Sequence, residues 1–239
     1  NQFRMAKDLA IILNNGSINS AVATALAAQK FRPVMLYVDA IGNPVSRAKQ
    51  SYDMQVGHFK PYREHTINLP FLTVLNDRPH GSPPPTDPRL TAPLGPQLSR
   101  LLAIVAAAST YAIHYQAAAV YLGLRVGPQT DDLAQATEYV QIWNELLQQP
   151  CAHGDLEVVT PLLELEAWQM IDVGFQVSAP FDRSWSCFDD NSDACWACSK
   201  CRAREAAFPL QVAARVGGDE RARAATLEGR ELRREDGPA

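Results

Sequence analysis

Residues 9–27, LAIILNNGSINSAVATALA, decide the fold that we predict for this chain. Leu9 to Leu13 form a short apolar run, which is typical of a central strand in a parallel sheet. The alanine-rich stretch from Ser20 to Gln29 favours a helix, and Pro33 to Val38 favours a second strand. A strand, a helix and a strand in this order build a parallel sheet. The sequence therefore predicts an α/β domain with a parallel sheet.

The turn between this strand and helix, residues 14–20, has the position of a phosphate-binding loop. Backbone N–H groups and the N-terminus of the following helix supply most of the donors in such a loop, whatever its side chains are. Asn19 and Ser20 are also residue types that cap a helix. The turn carries one glycine, Gly16, and no charge. Three interpretations therefore stay open: a working phosphate loop, a rebuilt one, and a turn that only caps a helix.

The rest of the chain continues the alternation of helices and strands. We predict helices over Gln97–Tyr115, Asp131–Leu147 and Leu163–Val173, and strands over Ala118–Leu122 and Leu156–Val159. Residues 76–96 hold seven of the seventeen prolines, which excludes a continuous helix and predicts a long loop. Residues 217–239 are rich in both signs of charge, which predicts a solvated helix or a mobile tail.

Composition and charge limit the classes of function. The 239 residues are 46% hydrophobic and carry a net charge of −4, so there is no overall basic field and we expect no direct nucleic-acid binding. No apolar run reaches the roughly 18 residues that a membrane helix needs. The N-terminus lacks the basic and apolar pattern of a secretory signal, so we expect a cytoplasmic protein without a membrane partner.

Four of the five cysteines lie within the segment SWSCFDDNSDACWACSKCRAREAAF, residues 184–208. Their spacing, C-x7-C-x2-C-x2-C, suits a tetrahedral metal site with the ligands Cys187, Cys195, Cys198 and Cys201. We expect structural zinc, because four protein ligands leave no open coordination position. An iron–sulfur cluster and free core thiols are the alternatives. Cys151 stands apart and is interpreted as an ordinary thiol.

This cysteine segment resembles that of the 7-cyano-7-deazaguanine synthase (QueC) family of PP-loop ATP pyrophosphatases. Trp185 and Ser186 before the cluster, and Arg204 to Phe208 after it, are part of the resemblance. It implies a PP-loop-type, adenine nucleotide alpha hydrolase-like domain over residues 1–180 with a parallel sheet. It also implies a zinc-binding helical appendage over residues 181–216, followed by the charged tail. The chain resembles a divergent paralogue whose PP-loop is degenerate.

The resemblance also implies a nucleotide site. Where the family has Ser-Gly-Gly-x-Asp-Ser, this chain has Asn-Gly-Ser-Ile-Asn-Ser at residues 15–20, and Arg100 matches a phosphate-contacting arginine. The nucleotide-binding residues that follow are Asn15, Gly16, Ser17, Asn19, Ser20 and Arg100. A lysine of the family is replaced by Ala167, and its substrate-holding Tyr-Pro-Asp-Cys-Arg segment has no match. Arg47, Lys49 and Arg125 could replace the lost lysine, although each is first interpreted as a solvated surface charge.

Three functions remain open from the resemblance. The first is a QueC-like protein that binds ATP, with Mg²⁺ if it is active, and a 7-carboxy-7-deazaguanine-type acid. It would form an amide with ammonia or a protein amine, in deazaguanine modification or anti-phage defence. The second is an inactive pseudoenzyme that serves as a binding or scaffold subunit. The third is a housekeeping synthase of queuosine biosynthesis. The expected partners are a nucleotide, a deazapurine-type molecule, a protein acceptor or partner subunit, and a second copy in a homodimer.

Overall fold

The computed structural model describes residues 8–40, 43–74, 95–128, 130–148, 156–190 and 192–209. The strands in these ranges are β1 Leu9–Leu13, β2 Arg32–Asp39, β3 Arg63–Asn68, β4 Ala119–Leu122 and β5 Glu157–Val159. The helices are α1 Ile18–Lys30, α2 Arg47–Phe59, α3 Phe71–Val74, α4 Gly95–Tyr115, α5 Thr130–Gln148 and α6 Ala167–Gln176. A 3₁₀ turn follows at Phe181–Arg183, and residues 199–209 form a last helix, α7.

All five strands are parallel and lie in the order β3-β2-β1-β4-β5. Ile11 in β1 pairs with Val34 on one side and Val120 on the other, so β1 is central. The predicted parallel α/β architecture is confirmed. The chain leaves β1 towards β2 and later returns to the opposite side through β4. The carboxyl end of β1 is therefore the switch point of the sheet, where open α/β folds bind their ligands.

The apolar residues of β1 alternate between two packed faces of the sheet. Ile11 and Leu13 face a cluster that contains residues of α4 and α5, including Trp143. Ala10 and Ile12 face a second cluster, to which α1 and α2 contribute. Ala10, Ile11 and Ile12 are fully buried, which places β1 in the core and fixes the loop that follows it. Trp143 is 2% exposed and is therefore a packing residue of this core.

Two predicted helix starts are wrong. Helix α1 begins at Ile18, and Ser17 is its cap, because the Ser17 hydroxyl accepts the Ser20 N–H at 3.3 Å. The residues predicted as caps, Asn19 and Ser20, lie inside the first turn. The helix predicted from Leu163 begins at Ala167 instead. There the Gln169 side chain accepts the Glu166 N–H at 2.8 Å and closes the first turn.

Three predicted features lie partly or wholly outside the described residues: the proline-rich loop over 76–96, Cys151, and the tail over 217–239. Within the ranges that the structure does describe, no helix combines the length and the apolar character needed to cross a membrane.

Candidate functional site

Gly16 occupies a position in the loop that admits only glycine. Its φ of +77° lies in the left-handed region. A Cβ built on it would lie 2.2 Å from the Ala48 carbonyl oxygen and 3.0 Å from the Tyr52 nitrogen, both backbone atoms of α2. The loop over residues 14–20, which we call the phosphate loop, therefore packs directly against the backbone of α2.

The phosphate loop satisfies several of its own donors with its own side chains. The Asn15 carboxamide oxygen accepts the Ser17 N–H at 3.1 Å and the Ser20 hydroxyl at 2.7 Å. The Asn15 N–H in turn donates to the Ser20 hydroxyl at 3.3 Å. A bound phosphate would have to take over some of these donors, so the loop differs from one that leaves its N–H groups open.

A buried pair of amide side chains supports the loop from below. The Asn14 amide nitrogen donates to the Thr24 hydroxyl at 2.9 Å and to the Gln55 side-chain oxygen at 2.8 Å. The Asn14 oxygen accepts the Gly16 N–H at 2.8 Å, and the Gln55 nitrogen donates to the Gly16 carbonyl at 3.1 Å. Asn14 is 2% exposed and Gln55 is fully buried. Gly16 is thus held at both its N–H and its carbonyl group.

A cavity of about 510 Å³ opens beside the phosphate loop, at the carboxyl ends of β1 and β4. Five of the six predicted nucleotide-binding residues line it, namely Asn15, Ser17, Asn19, Ser20 and Arg100. Gly16 is buried behind them and contributes shape instead of lining. The structure therefore brings Arg100, on α4, to the same cavity as the phosphate loop, although the two lie far apart in sequence.

The charged side chains of lysine, arginine, aspartate and glutamate that line the cavity are all cationic among the described residues. Four cationic side chains line it, Arg100, Arg125, Lys200 and Arg204, and no described aspartate or glutamate does. Such a set attracts an anion and concentrates positive potential in a concave site. Neither Lys200 nor Arg204 was identified from the sequence as a residue of this cavity. Lys200 lies between two of the cysteines and Arg204 lies three residues after the last one, so the sequence places both in the metal-binding segment.

Arg125 is one of these four cationic side chains, and it is half-buried. Burial lowers the pKa of its guanidinium group. One terminal nitrogen donates to the Leu165 carbonyl at 3.3 Å, while Nε is buried with no hydrogen-bond partner in the described structure. Partial burial of a cation with no carboxylate beside it is costly unless another anion binds it. The interpretation of Arg125 as a solvated surface charge is therefore wrong.

The other two proposed replacements for the family's lysine do not line the cavity. The Lys49 ammonium pairs with Asp53 at 2.5 Å, and the Arg47 guanidinium lies 4.8 Å from the centre of the Trp185 ring. Ala167 does line the cavity, at the first position of α6, but its methyl group brings no charge to the site. A Mg²⁺ ion arriving with a nucleotide would be held by phosphate oxygens and water and by no described carboxylate.

Gly123, directly after β4, is a further position that sequence reasoning missed. A Cβ there would lie 3.0 Å from backbone atoms of Asn19 and Ser20. The first turn of α1 therefore approaches the end of β4 so closely that a side chain there would have to push its backbone back by a few tenths of an ångström. A glycine directly after a buried apolar strand was the available signal.

The four predicted metal ligands meet in space. The sulfur atoms of Cys187, Cys195, Cys198 and Cys201 all lie within 4.8 Å of one another. Tetrahedral zinc with Zn–S bonds of about 2.3 Å requires sulfur atoms about 3.8 Å apart, so the set fits such an ion. Backbone N–H groups of Cys195, Cys198 and Cys201 each donate to the sulfur of the preceding cysteine at 3.4 Å.

These hydrogen bonds favour the thiolate forms that a metal binds. Backbone donors, first Phe188 and then Cys201, lower the pKa of Cys198 to about 6. Backbone donation, chiefly from Cys195, also lowers the pKa of Cys187. Burial raises the pKa of Cys201 to about 12, in keeping with its exposed fraction of 4%. A bound cation would displace the Cys201 proton, since metal ligation requires the thiolate.

The cysteine segment is also a wall of the cavity. Cys187 lines the cavity, and the Trp185 backbone N–H donates to the Gly16 carbonyl at 2.9 Å. The Arg204 guanidinium donates to the Ser184 hydroxyl at 2.8 Å and to the Phe181 carbonyl at 2.9 Å. The candidate metal site and the phosphate loop are therefore parts of one site.

Comparison with known proteins gives one consistent family. Residues 98–211 match the family model of the queuosine biosynthesis protein QueC. A 7-cyano-7-deazaguanine synthase of Koribacter versatilis is 24% identical over 87% of this chain and 95% of its own length. One of Chlorobium chlorochromatii is 25% identical over 83% of this chain and 90% of its own length. Together with the sheet order and the cysteine cluster, these matches support the predicted PP-loop-type fold with a C-terminal metal-binding appendage.

A more distant likeness is found among solved structures. The U34-tRNA thiolase NcsA from Methanococcus maripaludis, with its 4Fe-4S cluster, is 11% identical with a TM-score of 0.48. The match covers 78% of this chain and 62% of that one. A likeness of this degree has no bearing on function.

Proposed function

Because this chain belongs to the QueC family of queuosine biosynthesis proteins, we propose that its cavity binds ATP together with a 7-carboxy-7-deazaguanine-type acid. A carboxylate oxygen of the acid would attack the α-phosphorus of ATP and release pyrophosphate. An amine nitrogen, from ammonia or a protein, would then attack the carbonyl carbon, forming an amide and releasing AMP. Such a step belongs to deazaguanine modification or to antiviral defence.

The observation that carries this proposal is the set of four cationic side chains that line the cavity beside the phosphate loop, which we call the cationic wall. A triphosphate is the kind of anion that Arg100, Arg125, Lys200 and Arg204 together suit, at the switch point of the sheet. The cavity also has an apolar part of its lining, which includes Leu36, Val38, Leu101 and Ile104. An apolar surface of this kind suits a flat heteroaromatic ring, such as adenine or a deazapurine.

Calorimetric titration of the full chain with ATP and Mg²⁺, with and without the acid, tests the proposal. We expect micromolar binding, and we expect Arg125→Met to weaken it by about tenfold to a hundredfold, as for the loss of a charged hydrogen bond. Arg63→Met is the matched control, because Arg63 lies on β3, is exposed and does not line the cavity. No heat from folded, metal-loaded protein would refute ATP binding, and equal losses in the two variants would refute the role of the wall.

The internal hydrogen bonds of the phosphate loop and the presence of Ala167 favour a second candidate, an inactive family member that still binds a nucleotide or another anion. Ser17 and Asn15 already occupy N–H groups that a phosphate would use, and Ala167 supplies no charge for a transition state. In that case ATP-dependent AMP release is absent while ATP or another anion still binds. Release of AMP by the wild-type protein at a rate above background contradicts this candidate.

A substitution at Ala167 separates the two candidates. We expect Ala167→Lys to raise the rate of AMP release by at least about tenfold, because a cation in the cavity stabilises negative charge in the transition state. Ala206→Lys is the matched control, since Ala206 is exposed on α7 and does not line the cavity. The measurement is AMP formation with the acid and an amine present. If neither variant gains activity, the missing cation does not explain a low rate.

A further inference from the structure

The Gly16 carbonyl oxygen is the point at which the phosphate loop meets two other parts of the chain. It accepts the Trp185 N–H at 2.9 Å and the Gln55 side-chain N–H at 3.1 Å. The same Gln55 nitrogen also donates to the Arg183 carbonyl oxygen at 3.1 Å. A single side chain of α2 therefore joins the phosphate loop to the start of the cysteine segment.

Gln55 has no route to solvent for its polar atoms. It is fully buried, and its side-chain oxygen accepts the Asn14 amide at 2.8 Å. A buried amide costs free energy whenever one of its partners is removed. The hydrogen bonds of Gln55 are thus complete only when the phosphate loop and Arg183 are both in place.

Helix α2 also holds the cysteine segment at its other end. The Arg47 N–H donates to the Asp190 carboxylate at 2.6 Å, and the Arg47 guanidinium stacks on Trp185. The two contacts of α2 lie on either side of Cys187, the first of the four sulfur ligands. Movement of the segment around Cys187 would therefore disturb its contacts with α2, the helix against which the phosphate loop packs.

We propose that Gln55 is a positioning residue that couples metal binding at the four cysteines to the order of the phosphate loop. A small metal-binding segment loses its fold when the ion leaves. The Trp185 N–H and the Arg183 carbonyl then move away, and Gly16 is held on one side only. The coupling to loop order does not depend on ATP, whereas its consequence for nucleotide affinity rests on the proposed function.

Hydrogen exchange of the full chain, metal-loaded and chelator-treated, tests this coupling. We expect metal removal to speed amide exchange at residues 15–17 by about tenfold, because the loop opens locally. In Gln55→Met and Gln55→Glu we expect fast exchange in both states, since both variants lose the N–H donor. Gln55→Glu keeps the acceptor for Asn14, so at least one variant retains that contact. Tyr52→Phe, on the same helix as Gln55, is the control: it loses a buried hydrogen bond to the Met35 carbonyl of β2 and should respond like the wild type.

ATP affinity gives a second readout that separates this proposal from the proposed function. We expect metal removal to weaken ATP binding about tenfold in the wild type and by a smaller factor in the Gln55 variants, in which the phosphate loop is already open. By linkage, ATP then strengthens metal binding by the same factor. Loop exchange that ignores the metal in the wild type, or that responds normally in both Gln55 variants, overturns the coupling. A responsive loop in a protein that never binds ATP leaves the coupling in place and refutes the proposed function.

Discussion

Replacement of Gly16 by alanine is expected to lower the free energy of unfolding by about 3 kcal/mol and to abolish ATP binding. Two costs combine at this position. The left-handed φ of +77° disfavours any side chain, and a Cβ would collide with the Ala48 carbonyl oxygen at 2.2 Å. Because the Ala48 oxygen is a backbone atom and cannot rotate out of the way, the phosphate loop has to move away from α2. Urea unfolding and calorimetric titration with ATP measure the two effects.

Two other glycines provide matched controls for this substitution. Gly127 has a φ of +100° with no atom within 4 Å of its would-be Cβ, so Gly127→Ala tests the backbone conformation alone. It should cost only about 1 kcal/mol. Gly57, inside α2, also has open space, and Gly57→Ala should be neutral or slightly stabilising. If Gly16→Ala behaves like Gly127→Ala, the close packing of the loop on α2 is wrong.

The central strands could be predicted because their signal is local. Residues of β1 and β2 are buried on both faces, so each strand is a nearly continuous apolar run that stands out in the sequence. Helix α2 and strand β3 were missed for the opposite reason. The buried residues of α2 are Ser51, Tyr52 and Gln55, which make no apolar stripe, and β3, REHTIN, is a mostly exposed edge strand.

The candidate site likewise has one part that the sequence predicts and another part that only the folded chain reveals. The four cysteines lie within 15 residues, and short-range spacing is enough to predict that their sulfur atoms converge. Gln55 could not be predicted, because its role depends on contacts with Gly16 and Arg183 that only the folded chain creates. Arg125 gave a partial signal: it follows a predicted strand, and the carboxyl ends of parallel strands are where ligands bind.

Replacement of Cys198 by serine is expected to remove the metal and to unfold the cysteine segment. The wild-type chain should hold about one zinc ion, and the variant less than about a tenth of that, since a hydroxyl is a poor substitute for a thiolate. Elemental analysis measures the metal, and the visible absorption of an iron–sulfur cluster distinguishes iron from zinc. Cys151→Ser is the control for loss of a thiol outside the cluster.

The effect of Cys198→Ser on stability should be local at first. Phe175, Phe181 and Phe208 pack edge to face, with ring centres 5.0 to 6.2 Å apart, and hold α7 against α6 without any metal. We therefore expect residues 184–201 to become sensitive to protease while the parallel sheet stays folded. The melting temperature should fall by about 5–10 °C, as for a loss of 2–3 kcal/mol in a domain of this size.

The same variant bears on the origin of the cationic wall. Lys200 lies between Cys198 and Cys201, whereas Arg204 is tied to Phe181 and Ser184 through its own hydrogen bonds. Loss of the metal should therefore displace Lys200 and leave Arg204 near its place, so ATP binding should weaken but persist at low salt. A chain that is purified without metal, and whose Cys198→Ser variant melts unchanged, would show that the four sulfurs converge for another reason. In that case Lys200 would keep its place in the wall without the help of an ion.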